Sequence, residues 1–252
     1  MIDAFEFLLD GESWTRDSNG LLDQLVEQLL LTFTALAVAI LIGLPVALWL
    51  GHIGRGGLLA INISNIGRAV PTFALLAVLV RLEWPGNDPF GPYGRAGLAT
   101  LLALMFFALP PIITQAYVGV REVDESIRDA ARGMGMSGAQ LFWRVELPLA
   151  LPLVMSGVRL ALVQVWATAA IAALVGGPGL GNVLQLGFAN LDRRSEGIGA
   201  AILVAAIALV LELLAALVQR AVDPVPRTAG TPDSGRMALL PPTVNSVDDP
   251  VG

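Results

Sequence analysis

Five apolar runs, each close to the roughly 20 residues an α-helix needs to cross the hydrocarbon core of a bilayer, constrain this chain more than any other feature. They cover residues 29–50, 58–80, 98–120, 149–175 and 198–218. A lipid core has no water to satisfy a free N–H or C=O, so lipid-exposed runs of this length must be helical. The predicted fold class is therefore all-α integral membrane, a polytopic bundle of about five transmembrane helices. Composition agrees, with 55% hydrophobic and only 14% charged residues, more apolar and less charged than soluble domains.

Several chemistries are excluded by what is missing. The chain has no cysteine and one histidine, His52, so neither a disulfide nor a metal centre is predicted. All 15 basic residues are arginine. Without lysine there is no Walker A loop to hold nucleotide phosphates, so any ATP that drives this protein is bound by another chain. No cofactor is expected on this one, and nothing in it suggests nucleic-acid binding.

The runs divide the chain into an extracytoplasmic N-terminal segment, residues 1–28, a transmembrane domain, residues 29–219, and a cytoplasmic tail, residues 220–252. The first segment is acidic and lacks the basic start of a cleavable signal peptide, so the first run is expected to stay as an anchor. Phe5, Phe7, Leu8, Leu9 and Trp14 fit either a short amphipathic piece at the membrane surface or an ordered surface turn. The tail is rich in Pro, Asp, Ser and Thr and is predicted to be disordered.

Polar residues and prolines interrupt the runs. In the second, Asn62, Ser64, Asn65 and Arg68 precede Pro71, which predicts two helical pieces joined over residues 68–72. Polar groups at membrane depth face protein or water. The third contains Pro110-Pro111, a predicted kink. The fourth carries Pro152, Arg159, Gln164, Trp166 and Thr168, and the fifth carries Glu212. Between these two, the Gly/Pro-rich residues 176–181 predict a structured loop, with a short re-entrant helix over residues 183–188.

Residues 121–148 are different. They form a long polar stretch between two apolar runs. Asp124 is placed to cap a short helix through Ile127, Arg128, Ala130 and Ala131, with Glu125 in its first turn and arginine later, the charge order a helix dipole favours. Gly133 and Gly135 end it. Ser137 followed by Gln140 is a capping-box pattern for a second helix, apolar at Leu141, Phe142 and Val145, which Pro148 closes or bends. The expectation is a cytoplasmic helix-turn-helix facing a partner.

This stretch resembles the signature of the membrane-spanning permease subunits of binding-protein-dependent ABC importers. That signature reads Glu-Ala-Ala, three residues, Gly, nine residues, Ile, one residue, Leu-Pro. Here Asp129, Ala130 and Ala131 are followed by Gly135, Val145, Leu147 and Pro148 with every spacing kept, Asp and Val standing where Glu and Ile are usual. The run from Asp124 to Gly181 further resembles the subfamily that imports quaternary-amine osmoprotectants such as glycine betaine, choline, carnitine or proline betaine. The residues that carry it are 130–136, 143–152, 157–159 and 175–181, with Pro178 where glycine is usual. Residues 68–76 resemble that subfamily's proline-broken second span.

The resemblance implies a division of labour. An extracytoplasmic solute-binding protein captures the solute, two permease subunits form the path, as a homodimer or a heterodimer, and two cytoplasmic ATPase subunits supply energy. Asp129, Ala130, Ala131, Gly135, Val145, Leu147 and Pro148 would couple the permease to the ATPase. Candidate path residues are Arg68, Pro71, Phe73, Gln164 and Trp166. Alternatives stay open for each. Arg68 either lines the path or holds freed carbonyls, Arg159 either bridges helices or snorkels, and Glu212 either pairs with an arginine or faces the cytoplasmic vestibule. Trp166, Phe73, Phe106 and Phe107 offer aromatic faces to a trimethylammonium group or simply pack. Trp84 and Tyr93 suit the outer interface.

Placing residues 121–148 inside puts eight flanking arginines in the cytoplasm and five outside. By the positive-inside rule this predicts an N-terminus outside and a C-terminus in the cytoplasm, and the resemblance implies a bacterial inner membrane. Within transporters, the rival reading is an importer of another small solute, an amino acid or a polyamine. A stand-alone channel would leave the signature unexplained, and a membrane enzyme would need a nucleophile-base pair or metal cluster that the runs lack.

Overall fold

Helix lengths follow the apolar runs but overshoot them. The computed structural model describes residues 2–15, 20–57, 62, 70–82, 88, 90–93 and 96–222. Two short helices, α1 (Ile2–Leu9) and α2 (Gly11–Thr15), lead into α3 (Leu21–His52). After these come α4 (Thr72–Arg81), α5 (Gly97–Arg121), α6 (Glu125–Gly133) and α7 (Gly138–Leu141). The chain then continues through a π turn, Phe142–Glu146, into α8 (Leu147–Ala173), followed by α9 (Gly181–Ala189) and α10 (Arg194–Val222). Every regular element among the described residues is helical.

Four stretches, 21–52, 97–121, 138–173 and 191–222, are long and apolar enough to cross a membrane. The second run is expected as two helical pieces joined over residues 68–72, and its second piece is the one described. Its described helix, α4, has 10 residues, about 15 Å at 1.5 Å per residue, half the hydrocarbon thickness. Pro71 stands at its N-cap with φ −64° and ψ 112°, extended backbone from which the helix starts afresh. Residues 58–61 and 63–69, Arg68 among them, lie outside the described residues, as do Trp84 and the tail beyond Val222.

Pro148 does not close the second signature helix, because the chain stays helical from Gly138 to Ala173. A proline inside a helix lacks an N–H and crowds the carbonyl four residues back. Here it falls in the first turn of α8, directly after a π turn in which the Leu147 N–H reaches back to Phe142 O. The wider turn accommodates the ring, so one continuous helix joins the polar stretch to the fourth span.

The centre of the bundle is α3, α5 and α8, packed against one another, with α10 laid along α8 and α9. Its core includes Leu31, Ala35, Leu104, Ala108, Ile112, Ala161, Val165 and Trp166. Lipid is as apolar as leucine, so association within the bilayer rests on close packing and internal hydrogen bonds, and small residues mark the crossings. A Cβ on Gly157 would lie 2.7 Å from Gln115 Cβ and 2.9 Å from Pro111 O, and one on Gly51 would lie 2.9 Å from Val120 Cβ. The opposite surface of α10, including Leu209, Leu213 and Leu217, stays exposed, as a face turned to lipid should.

The N-terminal helix packs on protein. α1 lies on α10, Phe7 and Leu8 join the core, and Trp14 Nε1 donates to Leu8 O at 2.8 Å. A short helix is present where one was expected over residues 183–188, as α9, which runs Gly181–Ala189. Tyr93, expected at the outer interface, is half-buried, with its hydroxyl 3.0 Å from Thr34 Oγ1 on α3.

Candidate functional site

The signature stretch folds as two capped helices about a glycine. Asp124 accepts from the Ser126 N–H at 2.8 Å, and this bond, with a smaller contribution from the Ser126 side chain, holds its carboxyl below the usual carboxylate range. At the other end of α6 the Gly135 N–H bonds Arg132 O and the Met136 N–H bonds Ala131 O. Those two bonds make a Schellman motif, whose outer residue must be left-handed, and Gly135 has φ +82°. The signature glycine is thus a helix terminator, placed by its distance from the Asp129-Ala130-Ala131 turn. Ser137 and Gln140 then exchange both capping-box bonds.

One face of α6 is turned outward. Asp129 and Ala130 are exposed, Ala131 is buried, and Asp129 Oδ1 lies 3.1 Å from Arg132 Nη1 on the same surface. Gly135 has nothing within 4 Å of where a Cβ would stand. Val145, Leu147 and Pro148 are half-buried, in and just after the π turn. The seven signature positions therefore split. Asp129, Ala130 and Gly135 are surface, whereas Val145, Leu147 and Pro148 belong to the junction with α8.

The other face of α6 holds a network that sequence reasoning missed. Arg128 is buried and its guanidinium donates to Val120 O, in the last turn of α5. Its Nε lies 3.2 Å from Glu146 Oε1, an ion pair without hydrogen-bond alignment. Glu146, 1% exposed, makes a second contact through Oε2, 2.5 Å from His52 Nδ1 at the end of α3. The only trace in the sequence was a lone carboxylate just before Leu147-Pro148. No periodicity links positions 52, 128 and 146, so only the fold brings them together.

Beside this network an apolar groove of about 680 Å³ runs between the second half of α3 and the start of α8, with Leu48, Trp49, Phe142, Trp143 and Leu151 among its walls. Further along α8, Arg159 Nε donates to Glu212 Oε1 at 2.7 Å and its Nη1 donates to Gln219 at 3.2 Å. The helix-bridging reading of Arg159 and the pairing reading of Glu212 are the ones the structure favours.

The described path candidates differ in burial. Trp166 is 1% exposed, with its Nε1 donating to Val204 O at 3.0 Å. That makes it a strut between α8 and α10. Phe107 is buried too, while Phe73 and Pro71 are exposed on and beside α4, and Gln164 is half-buried on α8.

At the opposite end of the bundle the loop before α9 is clasped by amides. Gln28, fully buried, accepts from the Leu180 N–H at 3.0 Å, and Gln24 accepts from Asn182 Nδ2 at 3.3 Å.

Residues 16–227 match the family described as the binding-protein-dependent transport system inner membrane component. The chain belongs to that family. It is a permease subunit of an ABC importer. It is 30% identical over 209 residues to the choline transport system permease protein OpuBB of Bacillus subtilis, covering 82% of this chain and 91% of that one. It is 33% identical over 196 residues to the carnitine transport permease protein OpuCB of Listeria monocytogenes, covering 78% and 85%. With the glycine betaine/proline betaine permease protein ProW of Escherichia coli it shares 31% over 201 residues, 80% of this chain and 54% of that one. Among solved structures, the MetNI methionine ABC transporter, in inward-facing conformations, superposes with a TM-score of 0.65 at 23% identity, covering 80% and 95%. An amino acid ABC transporter with histidines gives 0.60 at 22%, covering 81% and 92%. These two share the fold.

Proposed function

We propose that this permease imports a quaternary-amine osmoprotectant such as glycine betaine, choline, carnitine or proline betaine, and that the outward face of α6 docks on a separate cytoplasmic ATPase. The solute class rests on the relatives, whose names give choline, carnitine and betaines. The methionine and amino-acid transporters share the fold at lower identity and carry no weight for the solute.

The observation that carries the docking reading is the geometry of α6. Its polar outer face is stopped by a left-handed glycine, while its inner face is fastened to the bundle. A short helix held on one side and bare on the other suits a knob in a partner's socket. The assembly would comprise two such permease subunits, two ATPase subunits and an extracytoplasmic binding protein. In the membrane the N-terminus would lie outside and the tail inside, an arrangement that requires residues 58–80 to cross as two pieces. ATP hydrolysis belongs to the partner. The path would run at the permease interface, with Phe73, Pro71, Gln164 and Arg68 as candidates to face it, and Trp166 supporting it by packing.

The test is glycine betaine-stimulated ATP hydrolysis by the full complex in liposomes. Gly135→Val forces a branched side chain into left-handed backbone, a conformation disfavoured by roughly 1–2 kcal/mol or more. Insertion should survive and stimulation should be lost. Stimulation at the unmodified level in an assembled complex would overturn the docking reading. Uptake of radiolabelled glycine betaine or choline tests the solute class, and uptake confined to an anionic solute or a free sugar would overturn it.

A further inference from the structure

The buried charges behind α6 do something that the docking face alone does not require. Arg128 adjoins Asp129 in sequence but points inward, and it reaches both the last carbonyl turn of α5 and the Glu146 carboxylate. Glu146 lies in the π turn that opens α8 and also holds His52, the last residue of α3. One side chain of the cytoplasmic helix is thereby tied to three of the four long spans. If adhesion were the whole purpose, apolar side chains would serve at lower desolvation cost, because replacing a buried ion pair with packed hydrophobic residues is often neutral or stabilising. The hydrogen bonds at the two ends of the network, Arg128 to Val120 O and His52 to Glu146, are directional, so they resist sliding and rotation that an oily contact permits.

We propose that Arg128, Glu146 and His52 form a linkage that makes α6 move as one body with α3, α5 and α8, converting displacement of α6 into displacement of the spans. They are positioning residues and touch neither solute nor nucleotide. The proposal rests on the reading of α6 as the ATPase contact. It predicts that breaking the linkage lowers the solute moved per ATP without undocking the ATPase.

The full complex, reconstituted with its ATPase and binding protein, supplies two readouts: glycine betaine transported per ATP hydrolysed, and an intrachain distance. The chain has no cysteine, so Ser126→Cys on α6 and Leu41→Cys on α3, both exposed, give one spin-label pair. In the unmodified linkage the label distance should stay narrow and unchanged when ATP and vanadate are added. In Glu146→Gln it should broaden on that addition, and transport per ATP should fall about fivefold.

The pair Arg128→Met with Glu146→Leu replaces the buried ion pair with apolar side chains, so it carries the test if the single variant fails to assemble. Coupling should stay low in it. His52→Gln, at the half-buried end of the network, should lose about twofold. Unmodified transport per ATP in an assembled Glu146→Gln complex, or its recovery in the apolar pair, would reduce the linkage to an adhesive and overturn the proposal. Gly135→Val is measured in parallel. If it keeps stimulation, the docking reading fails; if it loses stimulation while Glu146→Gln stays fully coupled, only the linkage fails.

Discussion

The two ends of α3 are held by different chemistry. At its C-terminal end the partners are charged or ionisable, His52, Glu146 and Arg128, and the neighbouring signature turn has open space around Gly135. At its N-terminal end the amides Gln24 and Gln28, with the Glu27 carboxylate on the Gly179 backbone between them, hold the loop before α9 and its first turn, and α9 itself packs through glycines with no room to spare. A Cβ on Gly181 would stand 1.9 Å from Ala170 O, and one on Gly187 would stand 2.3 Å from the Gly197 N. Close backbone contact locks the amide end by shape, whereas the signature end is joined by directional contacts between side chains. The comparison teaches that the signature end is built to be acted on and the amide end to stay put.

The largest expected effect comes from asking the two ends to accept the same change. Gly181→Asn should abolish accumulation of assembled permease, because its Cβ overlaps backbone. Gly135→Asn should assemble and keep stimulation, since Asn visits the left-handed region and nothing obstructs it. Yield of monodisperse complex, followed by ATPase assay, reads both. Equal damage at the two sites would end the distinction between a glycine needed for room and one needed for its backbone angle.

Next in size is Gln28→Leu. It leaves the buried Leu180 N–H without its acceptor, a loss of roughly 1–3 kcal/mol. The thermal midpoint of the complex should fall with transport per ATP unchanged, the reverse of the result expected for Glu146→Gln. A change in coupling would show that the amide end moves too.

Asp129→Ala is expected to cost stability only about 0.2–0.5 kcal/mol, the worth of an exposed pair within one helix. Under the docking reading, ATPase affinity should fall well beyond that. Titration of ATPase subunits onto reconstituted permease separates the two, and unchanged affinity would leave Asp129 as a surface charge paired to Arg132.

The smallest effect is at Asp124. Its carboxyl is held below the usual range, so the cap contributes above its unfolded-state value and is lost as pH falls through the lower folded value. Amide exchange at Ser126 and Ile127, corrected for its intrinsic pH dependence, should rise at acid pH and do so less in Asp124→Asn.

Much of this was legible in advance because it is local. Apolar length marked the four long spans to within a turn or so at most ends, and capping chemistry marked Asp124, Ser137 and the glycine stop at Gly135, since each depends on neighbours a few residues away. The start of α4 was also readable, because Pro71 has no N–H with which to continue a helix from before it.

Three things were not local, and only the tertiary structure decided them. Pro148 read as a stop or a bend, and a π turn absorbs it and joins the polar stretch to α8. Trp166 read as a possible aromatic face for a cation, yet α10 covers it and takes its N–H. Residues 52, 128 and 146 carried no shared pattern, because a buried charge network is specified by which helix ends meet in space. The sequence by itself determined the helices, their caps and the family. Packing decided which polar groups face each other, because in a membrane bundle a buried donor or charge takes whatever partner the neighbouring helix brings within reach.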